Sequence, residues 1–516
     1  QIGNGWGSSA MASFFTRETY NYDDRYLATY TYRYDGSSNF GPNKRWAGFH
    51  SLAVAWRFSN EEFVKEAIGD WLSNGKLRVG WGQTGNAGIG GYLWGSSMSV
   101  MATGLGTSYR PRNLKNLDIK WETQEQWNVG LDLGFLNNRL NFTFDWYSKE
   151  SKDMLMQLNL PSIMGTSGNE SSVLSAPWGN YGDISNKGFE VSINAKPIVS
   201  KNFEWSTDFN ISFNKNELRS LAGSTALLGY GQWNDVVSRT VPGQSLFRFY
   251  GYEVEGIYKD FNDIINSPVN TMQQNNPIIT NADGTKSWNP DPSKYSRTNT
   301  TFVGDIKYKD VNNDGVIDEN DKTDLGSPFP KFTFGFNNTF RYRNFDLNIF
   351  INGVCGGKVG NYMKMKLTQM NTVWSNQLKS VDSRARLMPA DGNTADRWFD
   401  DVSRVVVSNT DAALPRATLN DPNNNDAWSS RYIENGSYLR LKSLTLGYTF
   451  DRKLIQKIGL TNLRLSLNAT NLFTITGYDG YDPEVGISPA SANVYNLDNG
   501  RYPSPTTFSL GLDVSF

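Results

Sequence analysis

Apolar and polar residues alternate along much of this chain with a period of two. The final stretch shows it: Phe508, Leu510, Leu512, Val514 and Phe516 are apolar, and Ser509, Gly511, Asp513 and Ser515 between them are small or polar. In a strand, successive side chains point to opposite faces, so one face is greasy and the other wet. Tyr26, Ala28, Tyr30, Tyr32 and Tyr34 share one face of residues 25–35, after a first segment at 9–20. Leu52, Val54 and Trp56 follow in 51–59, and Leu77, Val79 and Trp81 in 76–84. Trp127, Val129, Leu131, Leu133 and Phe135 alternate, turn at Leu136-Asn137-Asn138, and return as Leu140, Phe142, Phe144 and Trp146. Phe189, Val191, Ile193 and Ala195 precede Phe203–Phe213; Phe332–Phe340 turns at Arg343-Asn344 into Phe345–Ile351. Tyr438–Phe450 and Leu463–Leu467 lead to the terminal strand. Helical signals are few. Ser59-Asn60-Glu61-Glu62 reads as a capping box before a short helix. Met363, Leu367, Met370 and Trp374 have helical spacing within Met363–Arg386, and Asp451 caps a short helix that ends at Gly459.

The pattern predicts about thirteen strands. The connections alternate in length. Turns at 21–24, 136–138 and 343–344 are short; the stretches 85–124, 151–186, 215–330, 355–436 and 474–506 are long, and 36–50 is a Gly/Ser/Asn loop. Gln244–Ile257 adds strand within the longest of them. Outer-membrane barrels have short periplasmic turns, long outer loops and aromatic girdles, which suits a last strand finishing on a bare Phe. The expected fold is therefore all-β, a transmembrane antiparallel β-barrel. Residues 215–330 and 355–436 are extracellular insertions on a barrel portion covering 1–516. Single-chain bacterial barrels have an even strand count. An odd count, with no signal peptide at the start, predicts the C-terminal part of a larger barrel.

Composition narrows the function. Mean hydropathy is −0.51 and hydrophobic residues make up 38% of the chain, with no apolar run long enough for a spanning helix. A barrel remains open, because its inner face is polar. A net charge of −1 gives no electrostatic case for nucleic acid. The single His50 removes most His-based catalysis, and the single Cys355 allows no internal disulfide. Gly85–Gly91 and Gly353–Lys358 miss the phosphate-binding fingerprints and read as turns. No residue set points to an enzyme.

One loop carries metal-type chemistry. Asp310, Asn312, Asp314, Asp318 and Asp321 place side-chain oxygens at positions 1, 3, 5, 9 and 12 of a calcium-type loop, with Gly315 at 6 and the Val316 carbonyl at 7. Asp at position 12 in place of Glu predicts a weaker, structural Ca²⁺ site; the plainer alternative is an Asx-rich turn. Trp94, Trp178, Trp233 and Trp374 fall in the expected outer loops. Aromatic faces there are candidates for binding an oligosaccharide, although loop packing is the stronger reading for each one singly.

Several blocks resemble the SusC/RagA family of TonB-dependent outer-membrane transporters of Bacteroidetes. They are Asp24-Arg25-Tyr26-Leu27, Arg33-Tyr34-Asp35-Gly36-Ser37-Ser38-Asn39-Phe40, Leu77–Asn86, Leu117–Gly130 around Lys120-Trp121-Glu122-Thr123, and Asn186–Glu190. Asp310–Asp321, Tyr438–Lys442 and Asn468–Phe473 continue the series. The resemblance implies a 22-stranded barrel with an N-terminal plug, of which this chain would supply the C-terminal strands. It further implies nutrient import in the outer membrane, energised by TonB through the plug, with a SusD-like surface lipoprotein as lid. The expected substrate is an oligosaccharide, with a peptide as the alternative. A secreted, calcium-stabilised carbohydrate-binding β-protein is the competing class, disfavoured by the terminal Phe and the short/long alternation of loops.

Overall fold

The computed structural model describes residues 9–157, 174–175, 177–222, 225–231, 235–272, 277–485 and 493–516. Thirteen strands form one antiparallel meander in chain order. They are β1 (Met11–Tyr22), β2 (Tyr26–Ser37), β3 (Trp46–Trp56), β4 (Leu72–Asn86), β5 (Glu122–Phe135), β6 (Leu140–Gln157) and β7 (Trp178–Val199). The rest are β8 (Phe203–Leu221), β9 (Phe332–Tyr342), β10 (Phe345–Cys355), β11 (Tyr438–Thr449), β12 (Asn462–Thr476) and β13 (Thr507–Ser515). Every alternating segment of the sequence lies in one of them.

Register carries the alternation across the whole wall. Val54 pairs with Val79, Val79 with Val129 and Val129 with Trp146. Leu446 pairs with Leu467, and Leu467 with Leu510. Val54, Trp146, Leu446, Leu467 and Leu510 stay exposed and Val79 and Val129 half-buried, so one face of the wall is a continuous apolar surface. The opposite face is polar and internally paired. Arg78 Nε donates to Asp132 at 2.8 Å and its Nη2 to Asp145 at 3.2 Å. Arg464 Nη2 meets Asp346 at 2.7 Å, and Asn194 donates to Asp208 at 2.7 Å. Two glycines make room for these guanidinium groups: a Cβ on Gly130 would stand 2.5 Å from Arg78, and one on Gly447 would collide with Arg464.

The tight turns lie at one end. Leu136, Asn137 and Asn138 all take left-handed φ, at 54°, 58° and 60°, and Arg343 turns β9 into β10 at φ 52°. Residues 57–71 and 450–461 at the same end contain short helices. Asp451 caps the second by accepting from the Lys453 amide, and Gly459 ends it at φ 81°. The capping box expected at Ser59–Glu62 does not form. The helix Glu62–Ile68 starts from Glu61 without a side-chain cap, because the Glu61 carboxylate turns back to Trp56 Nε1 (3.0 Å) and Arg25 (3.3 Å). At the other end, connections 87–121, 222–331, 356–437 and 477–506 build a separate cap.

Boundaries shift where polarity hides a strand. β3 begins at Trp46 inside the expected 36–50 loop, where the Trp46 ring stacks on Tyr34 at 5.1 Å. β6 runs to Gln157 and β7 starts at Trp178, inside the expected 151–186 loop. β6, β7 and β8 have 18, 22 and 19 residues, against about 9–11 for crossing a bilayer. The excess pairs as a ribbon with polar residues on both faces, so no alternation announces it. Helix in Met363–Arg386 is limited to Tyr362–Leu367 and a 3-10 turn at Lys379–Ser383.

The close-packed core is in the cap. Tyr258, Phe261, Ile264, Trp288, Phe302 and Val405 form one buried cluster. Val237, Phe249, Tyr362, Trp428 and Leu497 form a second, and Tyr252, Ile306, Tyr308 and Ile317 a third. Each draws on more than one connection, so the insertions form a single packed layer over the end of the wall.

Candidate functional site

The 310–321 loop folds as a tight wrap. Asn313 and Gly315 take left-handed φ of 60° and 84°, turning the chain around its own carboxylates. Asp310 accepts from the Gly315 amide at 2.8 Å, Asn312 Oδ1 from Asp314 at 2.9 Å, Asp314 from Val316 at 2.9 Å, and Asp318 from Asn320 at 2.7 Å. The Gly315 and Ile317 carbonyls accept from Val269 and Thr271, in a parallel pairing with 269–270. The Val316 amide and carbonyl between them therefore face the loop side. Asp321 is fully buried, and its two oxygens accept from Val311 (2.9 Å) and Asp318 (2.8 Å), closing the loop. Among the described residues, no three His, Cys, Asp or Glu side chains converge as a metal cluster. The donor set is all oxygen, which suits a hard cation. Asp310, Asn312, Asp314 and the Val316 carbonyl are the residues that would hold it, with Asp318 at the rim.

The candidate tryptophans do not form one site. Trp94 and Trp178 come together against Phe40, Phe49, Ile119 and Trp121. Trp178 opens β7, and its carbonyl accepts from Asn116 at 2.9 Å. Their ring faces serve packing at the rim of β3–β7. Trp374 is 92% exposed beside the exposed Val373. Trp233 lies outside the described residues. Cys355 ends β10 and is a free thiol with partial exposure.

Sequence reasoning missed the polar heart of the cap. Asp305 is fully buried, and Arg416 4% exposed. Arg416 forms an ion pair with Asp305, Nε lying 2.8 Å from Oδ1 and Nη2 donating to Oδ2 at 3.1 Å. The Phe302 amide and Asn425 Nδ2 complete the carboxylate at 2.8 and 3.0 Å. Asn423 donates to the Ile306 carbonyl at 2.8 Å, and Asn425 accepts from the Ile306 amide at 2.7 Å. This network joins the 222–331 and 356–437 insertions. Asp421 sits at its margin, in a small cleft with Gln369, Asn371, Asp426 and Tyr432. Burial, with Asp426 and Asp305 nearby, pushes its carboxyl up to about 7. The run Asp421-Pro422-Asn423-Asn424-Asn425-Asp426 reads as a solvated turn by composition; only burial shows it to be structural.

Comparison with known proteins agrees with this architecture. The family described as "TonB dependent receptor-like, beta-barrel" matches residues 3–267. The chain is 32% identical to TonB-dependent receptor P3 of Formosa agariphila, over 98% of this chain and 45% of the relative. It is 30% identical to TonB-dependent receptor SusC of Bacteroides thetaiotaomicron, over 98% and 44%. Among solved structures, the RagAB peptide transporter superposes with a TM-score of 0.72 at 24% identity, covering 98% of this chain and 48% of that one. The chain thus spans about half the length of the curated relatives it matches. The matched residues, the thirteen-stranded meander and the likeness to SusC and RagA together place this chain in the TonB-dependent receptor β-barrel family, as a member of SusC/RagA type.

Proposed function

We propose that this chain forms wall and outer cap of an outer-membrane importer for oligosaccharides, working with a SusD-like lipoprotein lid and energised by TonB. The observation that carries the reading is the asymmetry between the two ends of the wall. One end has turns as tight as 343–344; the other carries the insertions 222–331 and 356–437 folded as one layer. Loops this long are usually functional. The apolar face of the wall meets lipid and the polar face a lumen. A cap of this size can supply the at least ~1,000 Å² of a stable lid contact. Trp374, exposed on the cap, is the aromatic face best placed to meet a sugar. The role is transport, and the residues contribute shape and recognition without bond chemistry. Ca²⁺ in the 310–321 loop is structural in this reading, stiffening the 222–331 insertion.

The test is native purification in mild detergent together with growth of a deletion strain. A stoichiometric surface lipoprotein and a glycan-specific growth defect are expected. A native complex with no lipoprotein, and normal growth on every glycan and peptide, would remove the importer reading. Cysteine labelling in intact cells checks orientation: Asn138→Cys should be silent and Trp374→Cys labelled, and the reverse would invert the topology. A peptide substrate is the second reading, favoured by the fold shared with the RagAB peptide transporter. A growth defect on peptides alone would select it.

A further inference from the structure

We propose that a basic cleft at the mouth of the wall recognises the anionic group of an acidic oligosaccharide, a uronate carboxylate or a sulfate ester. The inference deepens the import reading and rests on it for the cleft's place on the substrate's route. The cleft belongs to a four-stranded sheet in the cap, made of Leu227–Tyr230, Val236–Thr240, Arg248–Tyr252 and Lys322–Gly326. It holds about 290 Å³, and Arg239, Gln244, Arg248, Tyr250, Lys322 and Asp324 shape it. It sits directly on the wall: the Leu218 amide at the end of β8 donates to the Gln244 carbonyl at 2.9 Å, and the Gly243 amide returns to the Leu218 carbonyl at 2.7 Å.

Charge in the cleft does not balance. Arg239 stands directly opposite Arg248 in the strand ladder, and like charges in that position are destabilising. Arg248 is neutralised, with Nε 2.5 Å from Asp324. Lys322 is neutralised too, with Nζ 2.6 Å from Glu319. Arg239 has neither. Among the described residues its side chain makes no hydrogen bond or ion pair, and its guanidinium lies over the Tyr250 ring at 5.0 Å. A sheet that keeps two arginines face to face and compensates one of them leaves a ready-made seat for an oxyanion. Guanidinium geometry matches carboxylate and sulfate oxygens with two parallel N–H donors. Gln244 and Thr323, which also line the cleft, supply neutral hydrogen-bonding groups of the kind sugar hydroxyls need. The cleft has room for about one pyranose ring, and that combination favours a charged sugar over a charged peptide.

The experiment uses the whole transporter purified in detergent and titrated by calorimetry. Four probes are compared: an oligogalacturonate, a sulfated galactan oligosaccharide, a neutral maltooligosaccharide and a glutamate-rich peptide. Binding of one or both acidic sugars is expected, and which of the two binds identifies the anion. Arg239→Ala should weaken that binding at least tenfold, Arg239→Lys should restore part of it, and Lys457→Ala at the far end of the wall should change nothing. The melting temperature of unliganded Arg239→Ala should not fall, because a like-charge pair is relieved. Equal affinity of Arg239→Ala and wild type for every acidic sugar would overturn the proposal. So would preference for the acidic peptide, or for the neutral sugar. Failure of the import reading shows separately, as an absent growth defect in the deletion strain.

Discussion

The wall and the cap are built on opposite principles. In the wall, large apolar side chains such as Phe508, Leu510 and Leu467 are exposed, and charged pairs such as Arg78–Asp132 line the other face. In the cap, apolar side chains are buried in the ordinary way and the charged pair Asp305–Arg416 is sealed among them. One chain thus carries a membrane solution and a water-soluble solution to the same problem. The wall is held by backbone ladders, which tolerate side-chain change that keeps the polarity of each face. The cap is held by specific packing and by a few buried polar contacts, which do not.

The largest expected effect tests that contrast at its most buried charge. Asp305→Ala leaves Arg416 uncompensated, and breaking a buried pair from one side costs about 3–5 kcal/mol. Limited proteolysis should cut within 222–331 and 356–437 while the wall keeps its heat-modifiable gel mobility. Equal loss of wall and cap would show that they are one cooperative unit. Next comes the wall's own rule. Leu512 pairs with Leu465 on the apolar face, and Asp513 lies beside Arg464 on the polar face. Leu512→Arg should cost up to ~2–4 kcal/mol if the position is near mid-bilayer, and Asp513→Asn much less, read by urea unfolding in lipid vesicles. Equal costs would mean that the faces are reversed.

A smaller effect comes from Asp421. Its folded-state carboxyl, raised to about 7, keeps a proton that an unfolded chain would release at about pH 4. Cap stability should therefore fall as pH rises from about 4 to about 7 and then level off. Hydrogen exchange of the cap across that range checks the slope, and Asp421→Asn should flatten it. The smallest concerns the 310–321 loop. Asp310→Ala with Asp314→Ala should leave the wall intact and abolish any slowing of proteolysis at 222–331 by added Ca²⁺; identical calcium response in the double variant would end the metal reading.

The same contrast explains what could be read from the sequence. All thirteen strands were legible, because a face toward lipid and a face toward water impose alternation residue by residue, as in Leu463, Leu465 and Leu467. The ends of β6 and β7 were not, since the extended ribbon is polar on both faces. The cap was legible only as length. Its cores assemble from Val237, Tyr362 and Leu497, positions with no shared period. The 310–321 loop showed itself because a turn around carboxylates needs fixed local spacing. The Asp305–Arg416 pair and the Arg239 cleft did not, because their partners are brought together only by pairing between distant strands and loops.

Distance along the chain also sets a timetable. The turn at 343–344 joins neighbours and can close as soon as β10 follows β9. Ser238 Oγ, in contrast, donates to the Asn493 carbonyl across 255 residues, and Asn493 Nδ2 reaches the Leu228 carbonyl across 265. Closing such long circuits is slow compared with zipping a hairpin. The cap's sheet can be locked to residues 493–497 only after nearly all the strands have been delivered. A protein halted before residue 477 would own most of its wall and a cap without its latch. Maturity of the cap is therefore a late event in the life of each molecule, and its completion reports that the strands up to β12 have already been delivered.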